Sequence, residues 1–125
     1  MRKVMLVGIA GMFGAILRTA IGQWMGEGSH FPIATFTVNM LATWLLCFFA
    51  AGVLQKIIHN QQIIDAVTVG FLGAFSTFSA LSMETVLLVE SGRIVLAILY
   101  VGFSLVGGIM IGLFGFYCGR KLVAA

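Results

Sequence analysis

This chain of 125 residues is 61% apolar and 9% charged, with a mean hydropathy of +1.13, far outside the range of ordinary soluble domains. Its net charge of +3 and pI near 9.2 come from scattered lysines and arginines that form no patch, which excludes nucleic-acid binding. No metal quartet, nucleophile with its base, or phosphate loop stands in the sequence, which excludes the common enzyme classes and leaves an integral membrane protein.

A helix needs about 20 mainly apolar residues to cross the hydrocarbon. The uncharged runs predict four spans, near 4–25, 32–56, 63–89 and 93–119, forming a single all-α transmembrane domain. Arg2 and Lys3 precede the first span, but Arg18 interrupts it and no small-residue cleavage site follows, so it reads as a span and not a signal peptide. Gly8, Gly11, Ala15, Arg18 and Gly22 fall along one face of it. Such a face suits close helix packing, or alternatively a slim path beside the glycines. Arg18 is long enough to snorkel to the interface; a structural pairing and a transport role both remain open for it.

After the loop GEGSH, Pro32 suits the first turn of the second span, where its missing N–H would be unpaired in any case. Thr35, Asn39 and Thr43 then step by four, a narrow polar stripe on an apolar helix. The Asn39 amide is costly in lipid unless it bonds across helices or lines a path, and the spacing alone supports either. The loop HNQQ, with Asn60 as its turn residue, leads into the third span.

The segment from Gly70 to Glu84, GFLGAFSTFSALSME, crowds hydroxyls, glycines and phenylalanines into the middle of a span. Polar or irregular backbone in hydrocarbon costs about several kcal/mol per unpaired group unless protein or a watery path supplies partners, so the segment reads as pathway. Glu84 is its one charge, placed to act as a cap, a pairing partner or a transport group. Beyond the turn ESGR, the fourth span carries Tyr100 and Ser104 four apart, and Gly108, Gly112, Gly115 and Gly119 along one face. Cys47 and Cys118 sit singly within spans and read as small apolar residues; His30 and His59 fall in opposite loops. Arg2, Lys3, Lys56, Arg120 and Lys121 fall on one side of the bilayer against Arg93 on the other, which places both termini in the cytoplasm of a cell-membrane protein.

GFLGAFSTFSALSME resembles the GFxGGxTTFSTFSxE signature of the CrcB/Fluc fluoride channels. Gly11-x-x-Gly14-Ala15-x-x-Arg18 resembles their GxxGAxxR, and Thr35-Phe36-Thr37-Val38-Asn39 their GTLxVN. The resemblance implies an antiparallel dimer of four-helix subunits, with two fluoride pathways at the interface and a structural sodium ion near its centre. It implies that Asn39 is the pathway amide and Phe78 a pathway phenylalanine, with Ser79 and Leu81 beside it and Tyr100 and Ser104 as the fourth-span polar track. A helix break at Gly73 to Phe78 would free the Gly73 and Ser76 carbonyls to hold sodium. Arg18, Thr35, Thr77 and Glu84 would be structural or vestibule residues. The implied process is passive fluoride efflux that protects the cytoplasm.

Several positions depart from that pattern. Leu81 replaces the second signature phenylalanine, Ala34 the glycine before Thr35, Ala42 a glycine after Asn39, and Gly108 a polar-track serine. Leucine has no aromatic quadrupole, so a path past Leu81 lacks one ring edge. The dimer partner is then either a second copy of this chain or an oppositely oriented paralogue; the strong charge bias favours one insertion direction, whereas an antiparallel homodimer needs both, which points to the paralogue. A non-conducting scaffold subunit is the second reading. A small multidrug transporter is the third, weakened because its first span would need a carboxylate where this one has Arg18.

Overall fold

In the computed structural model, which describes residues 1–25 and 31–125, the chain is all helix with no strand among the described residues. Four segments are long and apolar enough to cross a membrane: Arg2–Met25, Ile33–Ile57, Gln61–Glu90 and Ile94–Ala124. The first is α1. The second is α2 (Ile33–Phe48), a π-helical stretch (Phe49–Val53) and α3 (Leu54–Ile57). The third is α4 (Gln61–Asp65), a π-helical stretch (Ala66–Phe71), α5 (Leu72–Phe75) and α6 (Phe78–Glu90). The fourth is the uninterrupted α7 (Ile94–Ala124).

The last helix runs beyond the expected end at 119 because nothing in Arg120–Ala124 breaks a helix. Pro32 stands one position earlier than expected: it is the N-cap of α2, its carbonyl accepting from the Phe36 N–H. Asn60 caps α4, its side chain accepting from the Gln62 N–H, and Gly92 turns the chain at φ 81°. The expected loop at 26–30, with His30, lies outside the described residues. One feature had no sequence signal: Gly52, at φ 106° and ψ 7°, kinks the second span in a conformation that only glycine adopts cheaply.

Two interfaces assemble the bundle. The fourth span lies on the second, where a side chain at Gly115 would meet the Trp44 carbonyl oxygen at 2.5 Å and one at Gly119 the Phe48 carbonyl oxygen at 2.5 Å. Cys47 packs there as a small residue, its sulfur 3.2 Å from where a Gly112 side chain would begin, and both cysteines are free thiols. The first span lies on the third, where Gly14 faces the Phe71 carbonyl and Gly70 the Val7 carbonyl too closely for any side chain. This alters the small-residue face expected in the first span. Gly14 and Gly11 make the contact, whereas Gly8 and Gly22 have nothing within 4 Å of a would-be side chain, because the third span meets α1 along the stripe through Lys3, Val7, Ala10 and Gly14, from which Gly8 and Gly22 turn aside.

Polar ties hold one end of the bundle. Lys3 pairs with Asp65 at 2.9 Å, and the Lys56 ammonium donates to the Leu122 and Val123 carbonyls at 3.3 Å each. These ties bring together the beginnings of the first and third spans and the ends of the second and fourth.

Candidate functional site

The third span is interrupted at Ser76 and Thr77. Both are extended, at φ −80°, ψ 156° and φ −148°, ψ 122°, between helical Phe75 and Phe78. Gly73 is itself helical, within α5, so the irregular backbone is shorter than the Gly73–Phe78 stretch read from the sequence. Asn39 on α2 meets this interruption squarely: its Oδ1 accepts from the Thr77 N–H at 2.8 Å and its Nδ2 donates to the Thr77 carbonyl at 2.9 Å. Thr77, buried, caps α6 by accepting the Ala80 N–H at 3.1 Å, and its hydroxyl also shares a hydrogen bond of 3.1 Å with Ser79.

Beside this junction lies an open hollow of about 240 Å³ lined by Asn39, Thr43, Thr77, Phe78, Leu81 and Ser104, among others. The fold thus gathers most of the expected path residues from three spans. Phe78 lines the hollow yet is 79% exposed, so this wall faces out of the subunit. Leu81 reaches both ways, lining the hollow and packing on the buried cluster of Leu88, Ala97 and Tyr100. Ser79 is exposed on the same outer side.

Other residues form a separate group. Tyr100 is fully buried and does not reach the hollow; its hydroxyl donates to Glu84 Oε2 at 2.9 Å, while Thr35 donates to Glu84 Oε1 at 2.7 Å. Glu84 and Thr35 open instead into a larger hollow of about 810 Å³, lined also by Thr19, Gln23, Phe31 and Leu87. The stripe Thr35, Asn39, Thr43 therefore runs from the large hollow to the small one along one helix. Arg18, half-buried on α1, lines neither.

The hydroxyl-rich reading of the third span divides in two. Ser76, Ser82 and Thr85 donate to the carbonyls of Leu72, Phe78 and Leu81 four residues back, whereas the Thr77 hydroxyl bonds forward into α6; of these, Ser76 and Thr77 border the hollow. What the sequence did not reveal was the partner of Asn39. The signal was present: an interrupted helix in lipid must place two backbone groups on something, and Asn39 is a side-chain amide well inside the second span that can take both.

The smaller hollow offers amide and hydroxyl groups and the phenyl ring of Phe78 and, among its lining residues, no ionisable group. It can contact a small anion without binding it permanently. The profile of the family described as CrcB-like protein, Camphor Resistance (CrcB) matches residues 5–116. The chain is 39% identical over 117 residues to "Fluoride-specific ion channel FluC 2" of Listeria innocua serovar 6a, covering 94% of this chain and 90% of that one. It is 40% identical over 111 residues to "Fluoride-specific ion channel FluC 1" of Desulfitobacterium hafniense, covering 89% and 97%, and 36% identical over 127 residues to "Fluoride-specific ion channel FluC 1" of Bacillus cereus, covering 98% and 93%. With four apolar spans and a family match over almost its whole length, the chain is a multi-pass membrane protein that belongs to the CrcB-like family.

Proposed function

We propose that this protein is a subunit of a fluoride-specific channel in the cell membrane, releasing fluoride passively from the cytoplasm, and not an enzyme. The observation that carries the reading is the hollow in which an amide, hydroxyls and Phe78 converge on a helix interruption, in a chain whose relatives are named fluoride-specific channels. Fluoride is small and strongly hydrated, so a selective path must replace its water with donors and still let it leave. Asn39 and Ser104 supply donors, and the positive edge of Phe78 supplies a weaker contact suited to an ion in transit.

The outward exposure of Phe78 and Ser79 favours a path completed by a second, antiparallel subunit. A structural sodium ion held by the Gly73 and Ser76 carbonyls would add positive potential beside the anion route. The donor set fits: the Thr77 and Ala80 N–H groups, which a continuous helix would place on these two carbonyls, bond Asn39 and the Thr77 hydroxyl instead. Arg18, Thr35, Thr77 and Glu84 serve as structural or vestibule groups around this path.

Liposomes containing this chain alone should release fluoride when a potential is applied. Liposomes that stay silent with this chain, and with an added oppositely oriented homologue, would rule the channel reading out. Silence alone and flux only with the homologue would favour the second reading, a scaffold subunit of a heterodimer, which the charge bias and Leu81 support. Orientation is tested separately. With Cys47 and Cys118 replaced, Ser91→Cys should react with an impermeant thiol reagent in intact cells and Ala125→Cys should not; equal labelling would show insertion both ways and remove the charge argument for a paralogue.

Leu81→Phe should raise flux about fivefold, because a ring edge in the hollow beside Asn39 and Phe78 contributes about 1 kcal/mol. Unchanged flux in an assembled variant would place Leu81 with the Tyr100 cluster and off the ion path. Introducing Leu81→Phe into a Phe78→Leu background is the matched control: recovery of flux assigns both positions to one route.

A further inference from the structure

We infer that Asn39 and Thr77 form a reciprocal clamp that keeps the third span broken, and that this clamp is what leaves the Gly73 and Ser76 carbonyls open to a cation. The identity of the cation rests on the sodium reading above; the clamp does not.

In a continuous α-helix each N–H bonds the carbonyl four residues back. The Thr77 N–H would therefore go to Gly73 and the Ala80 N–H to Ser76. Both donors are diverted here, the first to Asn39 Oδ1 at 2.8 Å and the second to the Thr77 hydroxyl at 3.1 Å. Asn39 Nδ2 closes the loop on the Thr77 carbonyl at 2.9 Å, so one amide satisfies both backbone groups of an extended residue in mid-membrane. Upstream, the helix ends with the Ser76 N–H and hydroxyl both on the Leu72 carbonyl, at 3.0 Å each. The Gly73 carbonyl thus sits in the closing turn of α5 and the Ser76 carbonyl between α5 and α6, each without the N–H a continuous helix would give it. Gly73 also faces open space, with nothing within 4 Å of a would-be side chain, so its backbone is approachable from outside the subunit.

The same clamp fixes the sense of the Asn39 amide. A flipped amide would set its NH2 against the Thr77 N–H and its oxygen against the Thr77 carbonyl, two repulsions in place of two bonds. Oδ1 is therefore covered, and Nδ2, with one hydrogen given to Thr77, keeps the other for the hollow. An anion there meets a donor and never the amide oxygen. Asn39 is on this account a positioning residue for the third span as well as a path residue, and Thr77 acts through its backbone and hydroxyl.

Two measurements test this on the full chain in detergent. Spin labels at Val69 and Met83, both exposed, report the distance across the interruption. That distance should shift in Asn39→Leu, as the Thr77 N–H returns to Gly73, and stay as in the unmodified chain in Thr77→Ser. The second is the sodium concentration giving half of the maximal rise in melting temperature. It should increase tenfold or more in Asn39→Leu and in the milder Thr77→Val, and return in Thr77→Ser. A role confined to general stability would lower the melting temperature without moving that concentration. An unmoved sodium concentration in Thr77→Val and Asn39→Leu, or an unchanged label distance in Asn39→Leu, would overturn the inference. A melting temperature of the unmodified chain that ignores sodium, with the label distance shifting as expected, would overturn the sodium reading and leave the clamp standing.

Discussion

Asn39→Asp should reduce fluoride flux about a thousandfold in an otherwise assembled protein. At an effective dielectric of about 20, a carboxylate about 4 Å from an anion repels it by about 4 kcal/mol, which corresponds to roughly three powers of ten in rate. The geometry adds a second loss. The atom replacing Nδ2 would be an oxygen facing the Thr77 carbonyl, now 2.9 Å away, so a bond becomes a repulsion and the junction between α5 and α6 loosens. Flux measured in liposomes, with assembly checked by size-exclusion chromatography, decides the matter. Flux within a few fold of the original would mean that Asn39 acts only between helices and the ion passes elsewhere.

Gly14→Val should prevent stable folding. A side chain at Gly14 would collide with the Phe71 carbonyl, a backbone atom that cannot rotate away, so the first span would have to lift off the third. Overpacking of this kind costs about 3 kcal/mol or more, a large share of the stability of a small domain. Gly8→Val and Gly22→Val in the same helix meet nothing within 4 Å and should leave the melting temperature nearly unchanged. Equal loss in all three variants would show that helix propensity, not the crossing with the third span, sets the sensitivity of α1. The contrast also makes a low yield of Gly14→Val interpretable, since the controls place the same side chain at glycines of the same helix.

The four spans were legible because twenty-residue apolar runs have few alternatives, and the turn residues Asn60 and Gly92 act through local backbone preference. The gathering of Asn39, Phe78, Leu81 and Ser104 was legible through motif order. Side-chain direction was less so. Gly8, Gly11 and Gly22 share a face with Ala15, yet the third span settles on the neighbouring stripe through Val7, Ala10 and Gly14, and which stripe is covered is a property of two helices together. Tyr100 and Ser104 are likewise one turn apart, but Tyr100 is drawn inward by Glu84 while Ser104 borders the hollow. The kink at Gly52 was invisible because a lone glycine in an apolar run serves packing as readily as a positive φ.

The bond from Lys56 to the carbonyls of Leu122 and Val123 imposes an order on biogenesis. The lysine leaves the ribosome long before its acceptors do, separated from them by 66 and 67 residues of chain. Until α7 arrives, Lys56 is an ordinary cation at the headgroups; afterwards it covers the negative end of that helix. The carbonyls of Leu122 and Val123 thus fasten the second span only once α7 has been made, and a stop codon at Leu122 removes that fastening.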